Sequence, residues 1–135
     1  MKYRLYVSGF CNNTRNLQSS MGIGGVILND RGEEKVFSEM IGKGTIMEAH
    51  CYAILHGINE TLNDKTAKFI NVYSTNLLII DYLNKKNVKL PMKAEKLVEK
   101  ILEMLDTAKI SIKYEYFEVN DYLYVRNLAE EAIKV

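Results

Sequence analysis

The sequence predicts an α/β fold in which a mixed sheet of five strands is covered by helices. Three observations carry the prediction. Alternating and glycine-broken apolar segments follow one another through residues 2–41 with only a loop or a turn between them. Helical spacing of apolar residues takes over behind Thr45. Two later strand patterns, Phe69–Ser74 and Ile110–Phe117, are separated and followed by helical segments. The order is βββαβαβα, with the middle helix open to being split, and it calls for helices laid on a sheet.

Each element has a local reason. In Lys2–Gly9, Tyr3, Leu5 and Val7 alternate with Lys2, Arg4 and Tyr6, which suits a strand with unequal faces. Cys11–Ser20 is polar and reads as a loop. Met21–Leu28 is an apolar strand whose Gly22, Gly24 and Gly25 let another backbone come close. Asn29-Asp30-Arg31-Gly32 signals a turn, and Glu33–Ile41 returns as a third strand with Val36, Phe37 and Met40 partly buried. These three strands form an antiparallel meander.

Thr45 and Glu48 fit a capping box opening a helix, with Met47, Cys51, Ile54, Leu55, Ile58 and Leu62 as its apolar stripe. A short helix follows the fourth strand over roughly Leu77–Asn84. Pro91 stands where the first turn of a longer helix begins. That helix buries Ala94, Leu97, Val98, Ile101, Leu102 and Leu105. The last helix presents Tyr122, Val125, Leu128, Ala129, Ala132 and Ile133 on one side.

Composition bounds the class. The chain has 135 residues, 47% of them hydrophobic and 26% charged, which excludes a disordered or low-complexity protein and favours one domain over residues 1–135. Lys+Arg 18 against Asp+Glu 17 leaves a net charge of +1, so bulk charge selects no partner. The longest strongly apolar run, Leu77–Ile80, is far short of the roughly 20 residues of a membrane span. The start reads as a strand and lacks the apolar core of a secretory signal. Cys11 and Cys51 have neither disulfide nor metal spacing. A cytoplasmic domain without membrane contact is the expectation.

The order of elements and four local strings resemble the ribonuclease H type 1 domain over nearly the whole chain. Its first strand, ending in Asp-Gly-Ser before a Gly-rich second strand, is similar to Leu5-Tyr6-Val7-Ser8-Gly9-Phe10 and Met21–Leu28. Its Thr-Asn-Asn string and following helix look like Thr45-Ile46-Met47-Glu48-Ala49-His50. Its Tyr-Ser-Asp-Ser string resembles Tyr73-Ser74-Thr75-Asn76, and its closing Ala-Asp-x-Leu-Ala resembles Val125-Arg126-Asn127-Leu128-Ala129. The resemblance implies a ribonuclease H-like fold: a five-stranded mixed sheet, its first three strands antiparallel, with helices on both faces.

The resemblance also implies a two-metal hydrolase held by four carboxylates, which would map onto Ser8, His50, Thr75 (Ser74 or Asn76 if the register slips) and Arg126. None is acidic. Mg²⁺ takes hard oxygen ligands and needs carboxylates to offset its charge. At about 5 Å and an effective dielectric near 20, the Arg126 guanidinium repels a divalent ion by roughly 6–7 kcal/mol. No catalytic residue and no cofactor is therefore expected. Glu48 lies about 200° around the helix from His50, and Asp81 and Glu130 are the other nearby acids. Neither Cys51, about 100° from His50, nor His56, about 240° away, forms a joint site with it. His50 is expected to hydrogen-bond near Ser8 and Thr75.

Three functions follow. A non-catalytic binder of RNA–DNA hybrid or RNA would use Lys85, Lys86, Lys89 and Lys93, with Lys96 and Lys100 beyond them, together with Arg126. Glu95, Glu99 and Glu103, interleaved with the later lysines, also suit a plain solvated helix face. A protein-interaction or self-associating module would use Ile46, Met47, Tyr122 and Tyr124. A residual nuclease would need Mg²⁺ or Mn²⁺ on a displaced acid set such as Glu48 and Asp81.

Overall fold

The computed structural model describes residues 1–12 and 19–134. Strands β1 (Lys2–Cys11), β2 (Ser19–Asn29) and β3 (Glu34–Gly44) make the antiparallel meander. Strands β4 (Phe69–Ser74) and β5 (Ser111–Tyr116) extend the sheet beyond β1, both in parallel pairing. The order across the sheet is β3-β2-β1-β4-β5. The helices are α1 (Ile46–Thr61), α2 (Leu77–Leu83), α3 (Met92–Ala108) and α4 (Leu123–Glu131), the last entered through a 3₁₀ turn at Val119–Tyr122. The middle helix is thus two helices. Among the described residues no helix is long and apolar enough to cross a membrane.

The two faces of β1 receive different helices. Leu5 packs on Gly57 of α1, and with Val7, Ile23, Ile54, Ile58, Ile70, Val72 and Ile101 it forms the main core. Each such fully buried side chain contributes about 1.5–3 kcal/mol. The opposite face carries Ser8, paired across the ladder with Gly24, and there α4 lies directly on the strands. A Cβ on Gly24 would fall 2.6 Å from Leu128 Cβ and 2.7 Å from Leu128 C, and nearer still to the Ala129 nitrogen. The close backbone approach expected at the glycines of the second strand is made by this helix at Gly22 and Gly24, whereas Gly25 makes room for the Phe37 ring. Gly9 serves α1 the same way, since a Cβ there would meet Ala49 O at 2.8 Å.

Several sequence readings are corrected. Val36 and Met40 are exposed, Met40 by 62%, and only Phe37 is buried. Val36, Ser38 and Met40 share the α4 face of the edge strand β3 and all three stay exposed, because short α4 reaches this strand only at its margin, where the Ser38 hydroxyl donates to Leu128 O at 2.6 Å. Leu102 is 44% exposed because α3 packs chiefly on α1 and buries a narrow stripe. Of the loop read over Cys11–Ser20, Cys11 closes β1 and Ser19 and Ser20 open β2, while residues 13–18 lie outside the described residues. Pro91 is the N-cap of α3 rather than its first turn. Thr45 caps α1 by accepting from the Glu48 N–H at 3.1 Å, but the Glu48 carboxylate returns to the Thr45 hydroxyl rather than its amide.

Because the Gly24 contact is against backbone, no side-chain rotation relieves it. Gly24→Ala is expected to destabilise the protein by about 3 kcal/mol in urea unfolding, the upper end for overpacking. A loss under about 1 kcal/mol would place α4 farther from the sheet than described.

Candidate functional site

Three consecutive residues at the end of β1 organise the site. Ser8, Gly9 and Phe10 each meet one of the other positions where the resemblance implied a carboxylate. The Ser8 and Thr75 hydroxyls stand 3.4 Å apart, because β1 and β4 run parallel with Val7 opposite Ser74. The Gly9 N–H donates to His50 Nδ1 at 3.1 Å. Arg126 lies over the Phe10 ring, 5.1 Å from its centroid. Phe10 pairs with Gly22 across the ladder, and Gly22 is where α4 rests. The fold therefore gathers Ser8, His50, Thr75 and Arg126 around one strand end.

Local chemistry sets the register after β4. Ser74 is buried and accepts the Asn76 N–H at 3.1 Å. Asn76 caps α2, its Oδ1 taking the Ile79 N–H at 3.0 Å. Thr75 alone of the three brings its side chain to Ser8.

His50 is buried, and the hydrogen bond expected near Ser8 and Thr75 is made with the amide of Gly9, next to Ser8 in the chain. An accepting Nδ1 leaves the proton of the neutral ring on Nε2. Burial lowers its pKa to about 4. His56 stands apart, near Glu39 at 3.7 Å and Glu60 at 3.8 Å. Cys51 is buried against Ala94 O at 3.8 Å, and burial pushes its thiol up to about 12, so it is no nucleophile at neutral pH. Arg126 pairs with Glu130 at 2.7 Å, the i, i+4 partner, and Lys134 reaches the same carboxylate at 3.7 Å. Phe10 was missed by sequence reasoning, although its spacing two residues beyond Ser8 puts both on one strand face.

The acids near the site are engaged elsewhere. Glu48 holds the Thr45 hydroxyl at 3.2 Å, and Asp81 pairs with Lys86 at 3.3 Å. Among the described residues no three His, Cys, Asp or Glu side chains gather as a metal-binding group. Lys85, Lys86 and Lys89 are exposed in the α2–α3 connection, and Lys93, Lys96 and Lys100 are exposed on α3. The apolar residues proposed for contact divide into two groups. Ile46 packs on Cys11, Met21 and Ala49, whereas Tyr122 meets the edge of Tyr6 at 5.1 Å, itself stacked on Tyr73 at 4.5 Å. Tyr124 is exposed beside Tyr122.

The sequence pattern described as reverse transcriptase-like matches residues 7–132. The chain belongs to that family. Solved structures place this RNase H-like domain in the same fold. LC11-RNase H1, isolated from compost and solved with an RNA/DNA hybrid, superposes with a TM-score of 0.84 at 20% identity, covering 97% of this chain and 96% of that one. RNase H1 from the halophilic archaeon Halobacterium salinarum gives 0.83 at 17% identity, with 98% of both chains covered. The N-terminal RNase H domain of Rv2228c from Mycobacterium tuberculosis gives 0.80 at 19%, covering 99% of this chain and 100% of that one. No curated protein matches the chain.

The buried neutral imidazole makes stability depend on pH. Its folded pKa of about 4 lies below the ordinary histidine value, so the unfolded state binds the extra proton first as pH falls. The stability tied to neutral His50 is present above the ordinary value and is lost as pH drops toward 4. Urea unfolding between pH 7 and pH 4.5 should show a steeper loss for the native chain than for His50→Gln, by on the order of 2–3 kcal/mol. Parallel curves would mean that His50 is protonated in the fold.

Proposed function

We propose that this RNase H-like domain is a non-catalytic, single-domain module that binds RNA–DNA hybrid or RNA. The observation that carries the reading is the strand end itself: two hydroxyls, a neutral imidazole and a guanidinium occupy the place where metal-holding carboxylates were implied. Such a set gives a hard divalent ion little to bind. The exposed lysines before and along α3 give a nucleic-acid backbone much more, since ammonium groups on phosphate supply affinity without reading sequence. Solved relatives of the fold include an RNase H1 bound to an RNA/DNA hybrid, which supports the choice of ligand. The free thiols of Cys11 and Cys51 suit a reducing compartment such as the cytoplasm.

A second reading, a protein-binding module, is favoured by one observation. Ile46, Met47, Pro91 and exposed Met92 line an apolar groove of about 370 Å³ between the starts of α1 and α3. A displaced nuclease site at Glu48 and Asp81 is not favoured, because each acid is committed to another partner.

The test is fluorescence anisotropy of a labelled RNA–DNA hybrid at two salt concentrations without divalent metal. Binding should weaken by at least tenfold between about 50 and 200 mM salt. Neutralising Lys85, Lys86, Lys89 and Lys93 together should flatten the salt slope by about three to four. Salt-insensitive binding, or no binding at micromolar protein, would turn attention to the apolar groove. Cleavage of the hybrid with Mn²⁺ present would contradict the non-catalytic reading directly.

A further inference from the structure

We propose that β3 is the contact edge of a two-fold symmetric dimer, in which two copies of the chain pair their β3 strands antiparallel into one continuous sheet. The inference stands apart from the nucleic-acid reading, whose lysines lie before and along α3. Its first ground is an open backbone. The Asn29 N–H donates to Glu33 O at 3.2 Å, so that pair is of the hydrogen-bonded kind. Alternation along the ladder then turns the N–H and C=O groups of Glu34, Val36, Ser38 and Met40 away from β2. Among the described residues no hydrogen bond meets these outward groups. The other edge of the sheet is partly covered, since Tyr114 O of β5 accepts from the Asn84 side chain at the end of α2, at 3.1 Å.

The side chains select the occupant. Edge strands are protected from pairing by lysines, prolines or bulges. From Glu34 to Met40, β3 has no proline, and the irregularity in its ladder falls farther on, past the pairing of Gly22 with Met40. Its Lys35 lies on the opposite face and is bound to Glu60 of α1. Val36 and Met40 are left exposed beside the open backbone. When two identical strands pair antiparallel, outward-facing residues must meet outward-facing residues, which leaves few registers. With Ser38 opposite itself across the two-fold axis, Val36 of each copy faces Met40 of the other, and no like charges stand opposed. Centring on Phe37 instead would set Glu34 against Met40, and centring on Glu39 would set two carboxylates together. The Ser38 register joins the exposed apolar side chains of both copies into one stripe, an isologous contact complementary to itself. A strand from another protein would have to bring that match, whereas a second copy carries it already.

Sedimentation equilibrium of the native chain, from micromolar to millimolar protein, should show the mass rising from one chain to two and stopping there. Met40→Lys should weaken the association by about tenfold, each substitution counting twice across the two-fold axis, while the far-ultraviolet circular dichroism stays unchanged. Cross-linking reads the register. A mixture of Val36→Cys and Met40→Cys chains should oxidise to the mixed disulfide in preference to either symmetric one. The facing Cα atoms would lie about 5.5 Å apart, within disulfide reach, whereas like positions would be separated along the strand. The native Cys11 and Cys51 are buried and do not compete. A chain that stays monomeric at millimolar concentration would overturn the proposal. So would growth beyond two copies, association that Met40→Lys leaves intact, or a mixture that shows no preference for the mixed disulfide.

Discussion

The contact on which the rest of this structure depends is the approach of two helices to bare strand backbone. At Gly9 there is no side chain to hold α1 off, so His50 can take the Gly9 amide. At Gly22 and Gly24 nothing holds off α4, so Arg126 comes down over Phe10. Parallel pairing of β1 with β4 then brings Thr75 alongside Ser8. Remove the α4 approach and Arg126 leaves the site while the main core on the other face of β1 persists; remove the α1 approach and that core is opened too. The site is thus a product of backbone proximity, and its side chains are nearly free to vary in chemical type.

That freedom separates fold from function. A site grafted onto a shared fold can change its chemistry without disturbing the sheet. Here the hydroxyls, the imidazole and the guanidinium sit in a frame that superposes on ribonucleases H at TM-scores of 0.80 to 0.84 despite identities of 17 to 20%. The frame conveys no charge of its own. Electrostatics at the strand end come from Arg126, Glu130 and Lys134, and burial keeps His50 out of that sum at neutral pH.

Much of this was legible in the sequence, and the failures have physical causes. Strand alternation in β1, the glycines of β2 and the Thr45 cap are local signals, and each appears where it was read. The i, i+4 pairing of Arg126 with Glu130 follows from helix geometry alone. Burial at an element's margin is different, because it depends on how far a neighbour reaches. Val36 and Met40 flank Ser38, the residue of β3 that bonds to α4, and all three stay exposed, while Leu102 sits just outside the stripe that α3 presses on α1. The partner of His50 was hidden for a similar reason. A backbone amide leaves no mark in the sequence, and only the closeness permitted by Gly9 made it available.

The central claim is that the end of β1 has no affinity for the divalent ions that a two-metal hydrolase needs. Paramagnetic broadening by Mn²⁺ tests it most directly, read from the amide signals of Gly9, Thr75 and Arg126 against those of the distant Asp64 turn. The account predicts no selective broadening at the strand end up to low-millimolar Mn²⁺. Selective loss of the Gly9, Thr75 and Arg126 signals at micromolar Mn²⁺ would contradict it, and would mean that this site still holds metal.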